Sequence, residues 1–228
     1  MVYKQTSFLV AVLLLGSFVT AIPVVAESTE VLVAQASNPR LRELLEEGRR
    51  LVDAGDYNGA IAVYQEAAKL APSNARIHSG IGFLYAQQGN FQLALTAYRR
   101  AIALDGNNSD FYYAVGYIKG NLGDTNGAKE AYRRSIQLNR SNFNAYLGLG
   151  VTQTALGDYT SAMWAFEEAI KLNRNNPRTY ELMGSMFKQR RQTQQASNAL
   201  RQALSLYRSS NDAEGANRVE NMLREIGG

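Results

Sequence analysis

The chain has 228 residues, of which 46% are apolar, with a formal charge of +4 and no cysteine. That length holds one elongated domain plus a targeting segment, and the ordinary apolar fraction separates it from disordered chains. Disulfides and thiolate metal sites are excluded. Acids interrupt most basic positions, so there is no clustered stripe to neutralise phosphates, and no nucleic-acid partner is expected.

Residues 1–26 read as a targeting segment. Lys4 charges its start, an apolar stretch runs from Phe8 to Ile22, Pro23 breaks it, and Val24-Val25-Ala26 offers small residues to a signal peptidase. The rival reading is an uncleaved membrane anchor through residues 8–26, since that stretch comes near the ~20 residues a bilayer span needs. Either reading sends the remainder out of the cytosol, to a periplasmic, lumenal or external space. Residues 27–40, polar apart from Val31-Leu32-Val33, read as a flexible linker.

From 41 to 210 the chain repeats every 34 residues without an insertion. Gly48, Gly82, Gly116, Gly150 and Gly184 share one phase, as do Ala60, Ala94, Ala128, Ala162 and Ala196. Four residues after each alanine stands Tyr64, Tyr98, Tyr132, Phe166 or Leu200. A fixed period of this length marks units that bury their apolar face only by stacking on one another. The expected units are 41–74, 75–108, 109–142, 143–176 and 177–210, each divided into a helix A and a helix B. In the fourth, helix A is expected over roughly 142–155 and helix B over 159–172. Gly55-Asp56, Gly89-Asn90, Gly123-Asp124 and Gly157-Asp158 supply the turns: glycine ends helix A in the left-handed conformation, and Asp or Asn caps helix B. Arg191 stands where the last turn glycine would be. Ser73-Asn74, Asn107-Asn108, Ser141-Asn142 and Asn175-Asn176 form joints whose short polar side chains cap the next helix.

Tyr146, Leu149, Gly150, Gly157, Asp158, Tyr159, Ala162, Phe166 and Ala169 show the pattern most fully. It resembles the tetratricopeptide repeat (TPR), here of an exported or membrane-anchored bacterial type. The resemblance implies an all-α fold: a right-handed α-solenoid of five 34-residue helix hairpins, closed by a C-terminal capping helix within 211–228. Lys119 and Gln153 depart from the pattern, replacing the apolar residue three places after the helix A glycine. In this family helix A lines a concave groove that receives an extended peptide or a partner helix. By resemblance the groove positions are Ser79, Phe83 and Gln87, then Tyr113, Tyr117 and Asn121, then Leu147 and Val151. Tyr113 and Tyr117, one turn apart on one face, form its expected centre, at places for which stacking calls for no aromatic. The basic clamp with which chaperone-binding members hold carboxylates is missing, since the places two before the helix A glycine hold Glu46, Gly80, Ala114, Gly148 and Leu182.

The last helix, expected over Asp212 to Ile226, carries Ala213, Ala216, Val219, Leu223 and Ile226 on one face. A terminal cap needs that pattern, and a partner-binding amphipathic helix is the sharper alternative. Trp164 falls on helix B where other repeats have Ala62, Thr96, Glu130 and Asn198, which marks it as exposed, either a scattered surface aromatic or an outer-surface contact for a partner or a membrane. No catalytic group, metal site or cofactor is expected: His78 is the one histidine, at the place of Tyr112, Tyr146 and Tyr180, and reads as a packing residue. The expected function is a non-enzymatic protein–protein adaptor or scaffold of an exported compartment. Exported TPR proteins of bacteria suggest assembly of envelope or photosynthetic-membrane complexes as its setting. The alternatives are a self-associating structural solenoid, which would be a homo-oligomer, and a membrane-anchored TPR protein without a groove ligand.

Overall fold

The computed structural model describes residues 38–227, so the targeting segment and nearly all of the linker lie outside the described residues. The described residues form eleven helices and no strand, the all-α class expected. In chain order they are α1 Pro39–Asp53, α2 Tyr57–Leu70, α3 Ala75–Gln87, α4 Phe91–Leu104, α5 Ser109–Asn121 and α6 Thr125–Leu138. They continue with α7 Phe143–Ala155, α8 Tyr159–Leu172, α9 Pro177–Gln189, α10 Thr193–Ser209 and α11 Ala213–Gly227. Odd numbers up to α9 are the A helices and even numbers the B helices. The chain divides into two compact units between Gly127 and Ala128, in the first turn of α6.

Each A helix starts where an asparagine caps it. Asn74, Asn108, Asn142 and Asn176 accept hydrogen bonds from the backbone N–H groups of Arg76, Asp110, Ala145 and Thr179 at 3.0–3.2 Å. The first helix breaks the phase, because Asn38 caps it with Pro39 as the first helical residue, so α1 begins two residues before the expected position 41. The turns inside repeats follow one rule. Gly55, Gly89, Gly123 and Gly157 have φ of 75–80°, where a side chain would be strained. Asp56, Asp124 and Asp158 then each accept from the backbone N–H three residues on. Asn90 departs from the expectation. It makes no side-chain cap to α4, and its amide donates to Gln88 instead. Arg191 adopts the same left-handed conformation at φ 58° without glycine's freedom.

In the first unit α1–α2 and α3–α4 pair as hairpins, and α5 packs on α3 and α4. Leu44, Leu45, Ile61, Tyr64, Ile77 and Leu84 centre its main core. In the second, α7–α8 and α9–α10 pair, and α11 lies on α10. Tyr146, Leu147, Phe166 and Met186 fill one cluster of that unit, and Leu200, Tyr207 and Val219 another. The periodic glycines explain the tight pairing. A Cβ at Gly82, Gly150 or Gly184 would lie 2.7, 2.5 or 2.6 Å from the ring of Tyr98, the ring of Phe166 or the side chain of Leu200, and Gly48 meets Tyr64 the same way. The period thus pairs these four helix A glycines with the large residue sixteen places on.

The C-terminal helix is held as a cap. A turn of the intra-repeat kind, with Asn211 at φ 56° and Asp212 accepting from the Gly215 N–H, replaces the asparagine joint. Gly215, Ala216 and Val219 are buried, while Ala213, expected on the apolar face, is exposed. The helix also carries half of a buried ionic cluster. Glu181 on α9 is 1% exposed, and its Oε1 accepts from Arg178 Nη1 and from Arg218 Nε on α11, both at 2.8 Å. Its Oε2 accepts from the Tyr207 hydroxyl on α10 at 2.6 Å. Ion pairs Lys188–Glu225 and Arg208–Glu220 add exposed ties to α11.

Candidate functional site

Spacings of four residues put Ser79, Phe83 and Gln87 on one stripe of α3, and Tyr113, Tyr117 and Asn121 on the matching stripe of α5. The two helices touch, so the first unit carries both stripes on adjacent A helices. All six residues are partly exposed. The Tyr117 ring meets Phe91 edge-on at 6.4 Å, and Asn121 Nδ2 donates to the Tyr117 carbonyl at 2.9 Å. Ser79 donates back to the Arg76 carbonyl at 2.9 Å. Burial pushes the Tyr113 hydroxyl up to about 12, with smaller contributions from Tyr117 and Asp110. Burial likewise raises Tyr117, against a hydrogen bond from Asn121. Both phenols stay protonated donors through the physiological range. The stripe thus offers aromatic surface, hydroxyls and amides, which is equipment for binding.

The second unit treats the matching places differently. Val151 is partly exposed, but Leu147 is 2% exposed and packs in the core, so it presents no surface to a partner. This corrects the expectation that Leu147 is a groove position, because the places three before the helix A glycine mostly serve the core. Leu45, Leu147 and Glu181 are all buried there, and Ser79 and Tyr113 are the exceptions. Trp164 is 48% exposed, with its ring edge-on to Tyr146 at 5.7 Å.

His78 has a structural use shared across copies. Its Nε2 contacts the Pro72 carbonyl at 3.1 Å, and the hydroxyls of Tyr112 and Tyr180 donate to the Gly106 and Arg174 carbonyls, each six residues back. The side chain at this place ties helix A to the joint before it. Two basic residues at the end of α9 are also committed: Lys188 pairs with Glu225, and Arg190 lies 5.1 Å from the Tyr159 ring centre. Among the described residues no group of three or more His, Cys, Asp or Glu is placed to hold a metal.

Comparison with known proteins agrees with the helix pattern. Three TPR family models match residues 48–89, 75–108 and 113–177. A model of anaphase-promoting complex subunit 5 matches 179–227. A TPR repeat-containing protein of Picosynechococcus sp. (strain ATCC 27264 / PCC 7002 / PR-6) is 37% identical over 54 residues, which is 24% of this chain and 14% of that protein. Among solved structures, MamA from Desulfovibrio magneticus RS-1 superposes with a TM-score of 0.71 at 17% identity, covering 76% of this chain and 98% of its own. YrrB, described as a TPR protein with an unusual peptide-binding site, does so with a TM-score of 0.64 at 18% identity, covering 86% and 97%. Likenesses at such identity establish the fold alone. The repeat models, the glycine–aromatic register and the helix pairing agree, and the chain belongs to the tetratricopeptide-repeat family.

Proposed function

We propose that this protein is a non-enzymatic adaptor whose α3–α5 face binds a peptide or helix of a protein partner. The observation that carries this reading is the pair Tyr113 and Tyr117, half-buried rings on the α5 stripe with Asn121, with Phe83 and Gln87 on the corresponding stripe of α3. Rigid aromatic rings with polar tips give large contact area at low entropic cost. The peptide-binding site in YrrB's description is in keeping with such a use of the fold. Tyr113→Ala/Tyr117→Ala should leave the helical circular-dichroism signal nearly intact while weakening partner capture from native extract at least tenfold, as loss of ~2 kcal/mol at an aromatic hot spot requires. Undiminished capture by that variant, with capture abolished by Trp164→Ala, would move binding to the outer surface.

The same reading places the adaptor outside the cytosol, where it would serve assembly of envelope or photosynthetic-membrane complexes. Lys4, the Phe8–Ile22 apolar run and Val24-Val25-Ala26 support export. Among the described residues no helix is long and apolar enough to cross a membrane, and residues 8–26 are the candidate anchor. Intact mass of protein from its host is expected to show a chain beginning near Glu27. A full-length membrane-bound product would replace cleavage by anchoring, and a full-length soluble cytosolic product would overturn export.

A further inference from the structure

Between α6, α7 and α8 the second unit opens a cleft of about 510 Å³. Lys129 and Arg133 line it from α6, Leu149 and Gln153 from α7, and Asp158 and Trp164 from the α8 side. Comparison between repeats explains why a cleft exists at this seam. Three places after the helix A glycine, the second repeat has Tyr85, whose hydroxyl accepts from Gln65 Nε2 on α2 at 3.2 Å and ties the two helices together. The third repeat has Lys119, which reaches the turn acid Asp124 at 3.0 Å. The fourth has Gln153, which is 8% exposed and whose Oε1 has no hydrogen-bond partner. Asp158, the counterpart of Asp124, cannot serve that oxygen. An ionised carboxylate only accepts, and this one already accepts from the Ser161 N–H at 3.1 Å. A buried acceptor left without a donor is destabilising. The oxygen itself is covered, so a ligand relieves that penalty only by drawing the amide round to face the cleft and bringing an N–H to it.

The other walls narrow the chemistry of the ligand. Trp164 is exposed on one side and braced on the other by Tyr146, which makes it a fixed apolar platform. Lys129 and Arg133 supply positive charge, of which the Asp158 carboxylate near Lys129 offsets a part. Their pairs with Glu130, at 3.8 and 3.7 Å, are long and exposed and contribute little. We propose that this cleft is a second recognition site, separate from the α3–α5 face, for an extended peptide segment in which an acidic side chain neighbours a large apolar one. The Gln153 amide turns into the cleft to accept a backbone N–H of the segment, the carboxylate meets Arg133 and Lys129, and the apolar side chain lies on the Trp164 indole.

Trp164 is the chain's one tryptophan, so its fluorescence reads this cleft directly. The full chain is titrated with the acetylated, amidated peptide Gly-Glu-Leu-Glu-Gly and, in parallel, with Gly-Lys-Leu-Lys-Gly. A saturable change with the acidic peptide and none with the basic one is expected. Gln153→Leu, which restores the apolar residue of the repeat pattern, should keep or raise the unfolding midpoint yet weaken the acidic peptide at least tenfold. Tyr113→Ala/Tyr117→Ala should leave the titration unchanged, so failure of the α3–α5 reading and failure of this one are separable. Equal responses to the two peptides, no saturable response to either, or a Gln153→Leu titration like that of the native chain would each overturn the proposal. A response confined to anionic phospholipid vesicles would overturn it as well, assigning Trp164 to a membrane surface.

Discussion

Arg218→Ala is expected to destabilise the second unit by about 3 kcal/mol, the low end for removing one partner of a buried ion pair. The loss stays at that end because Arg178 and the Tyr207 hydroxyl remain on the Glu181 carboxylate. Removing the carboxylate is milder. In Glu181→Leu both arginines can turn outward, since their side chains are 16% and 31% exposed, and the expected loss is less than half as large. Urea midpoints of the two variants decide this; equal losses, or a native-like midpoint for Arg218→Ala, would contradict the account. The cluster also has a pH signature. Burial alone would raise the Glu181 carboxyl, but hydrogen bonds from Arg218, the charge of Arg178 and the Tyr207 hydroxyl outweigh it and hold the group below the usual glutamate value. A carboxyl lowered by folding contributes fully above its unfolded pKa and loses that contribution as pH falls through the folded one. Unfolding midpoints should therefore drop on the acid side of the ordinary glutamate range, and Glu181→Leu should lack that component.

Gly150→Leu is the second large effect. Its first side-chain carbon would fall 2.5 Å from Phe166 Cε1, and Phe166 is 1% exposed with little room to move. Overpacking of this kind costs about 1–3 kcal/mol, and the two further branches of leucine place the variant at the upper end. Coupling between neighbouring repeats spreads the damage through the second unit. Gly80→Ala is the control. A Cβ there would meet the Tyr64 ring at 3.7 Å, an ordinary contact, so the helix should gain about 0.5–1 kcal/mol from losing a glycine. Gly148 holds the same repeat place, but its Cβ would press on the Tyr132 ring, and Gly148→Ala should destabilise. Thermal unfolding that ranks Gly80→Ala below Gly148→Ala would mean the register is misassigned.

Features that recur were readable from the chain. The turn glycines, the asparagine caps and the glycine–aromatic pairs each return at the same phase, and local backbone chemistry gives each its meaning. Features that depend on one repeat differing from another were not. Glu181 stands at a nominal groove place, and its burial is balanced by Arg218, which lies 37 residues away on a helix outside the period. Leu147 and Tyr113 occupy one repeat place, yet one is core and the other partly exposed. Asn90 has the residue type of a cap without the bond. Gln153 was visible as a departure from the pattern. That it leaves a cleft depends on side-chain reach across a seam, which spacing does not encode.

The seal on the fifth repeat also bears on assembly. Head-to-tail joining of identical subunits produces rings when the rotation closes and open fibres when it does not. At the C-terminal end of the second unit, α11 already covers the surface on which a further repeat would stack. A copy that took the place of α11 on that surface would draw Arg218 away from a buried carboxylate. The α11 contact therefore competes with end-on addition of another copy at that face.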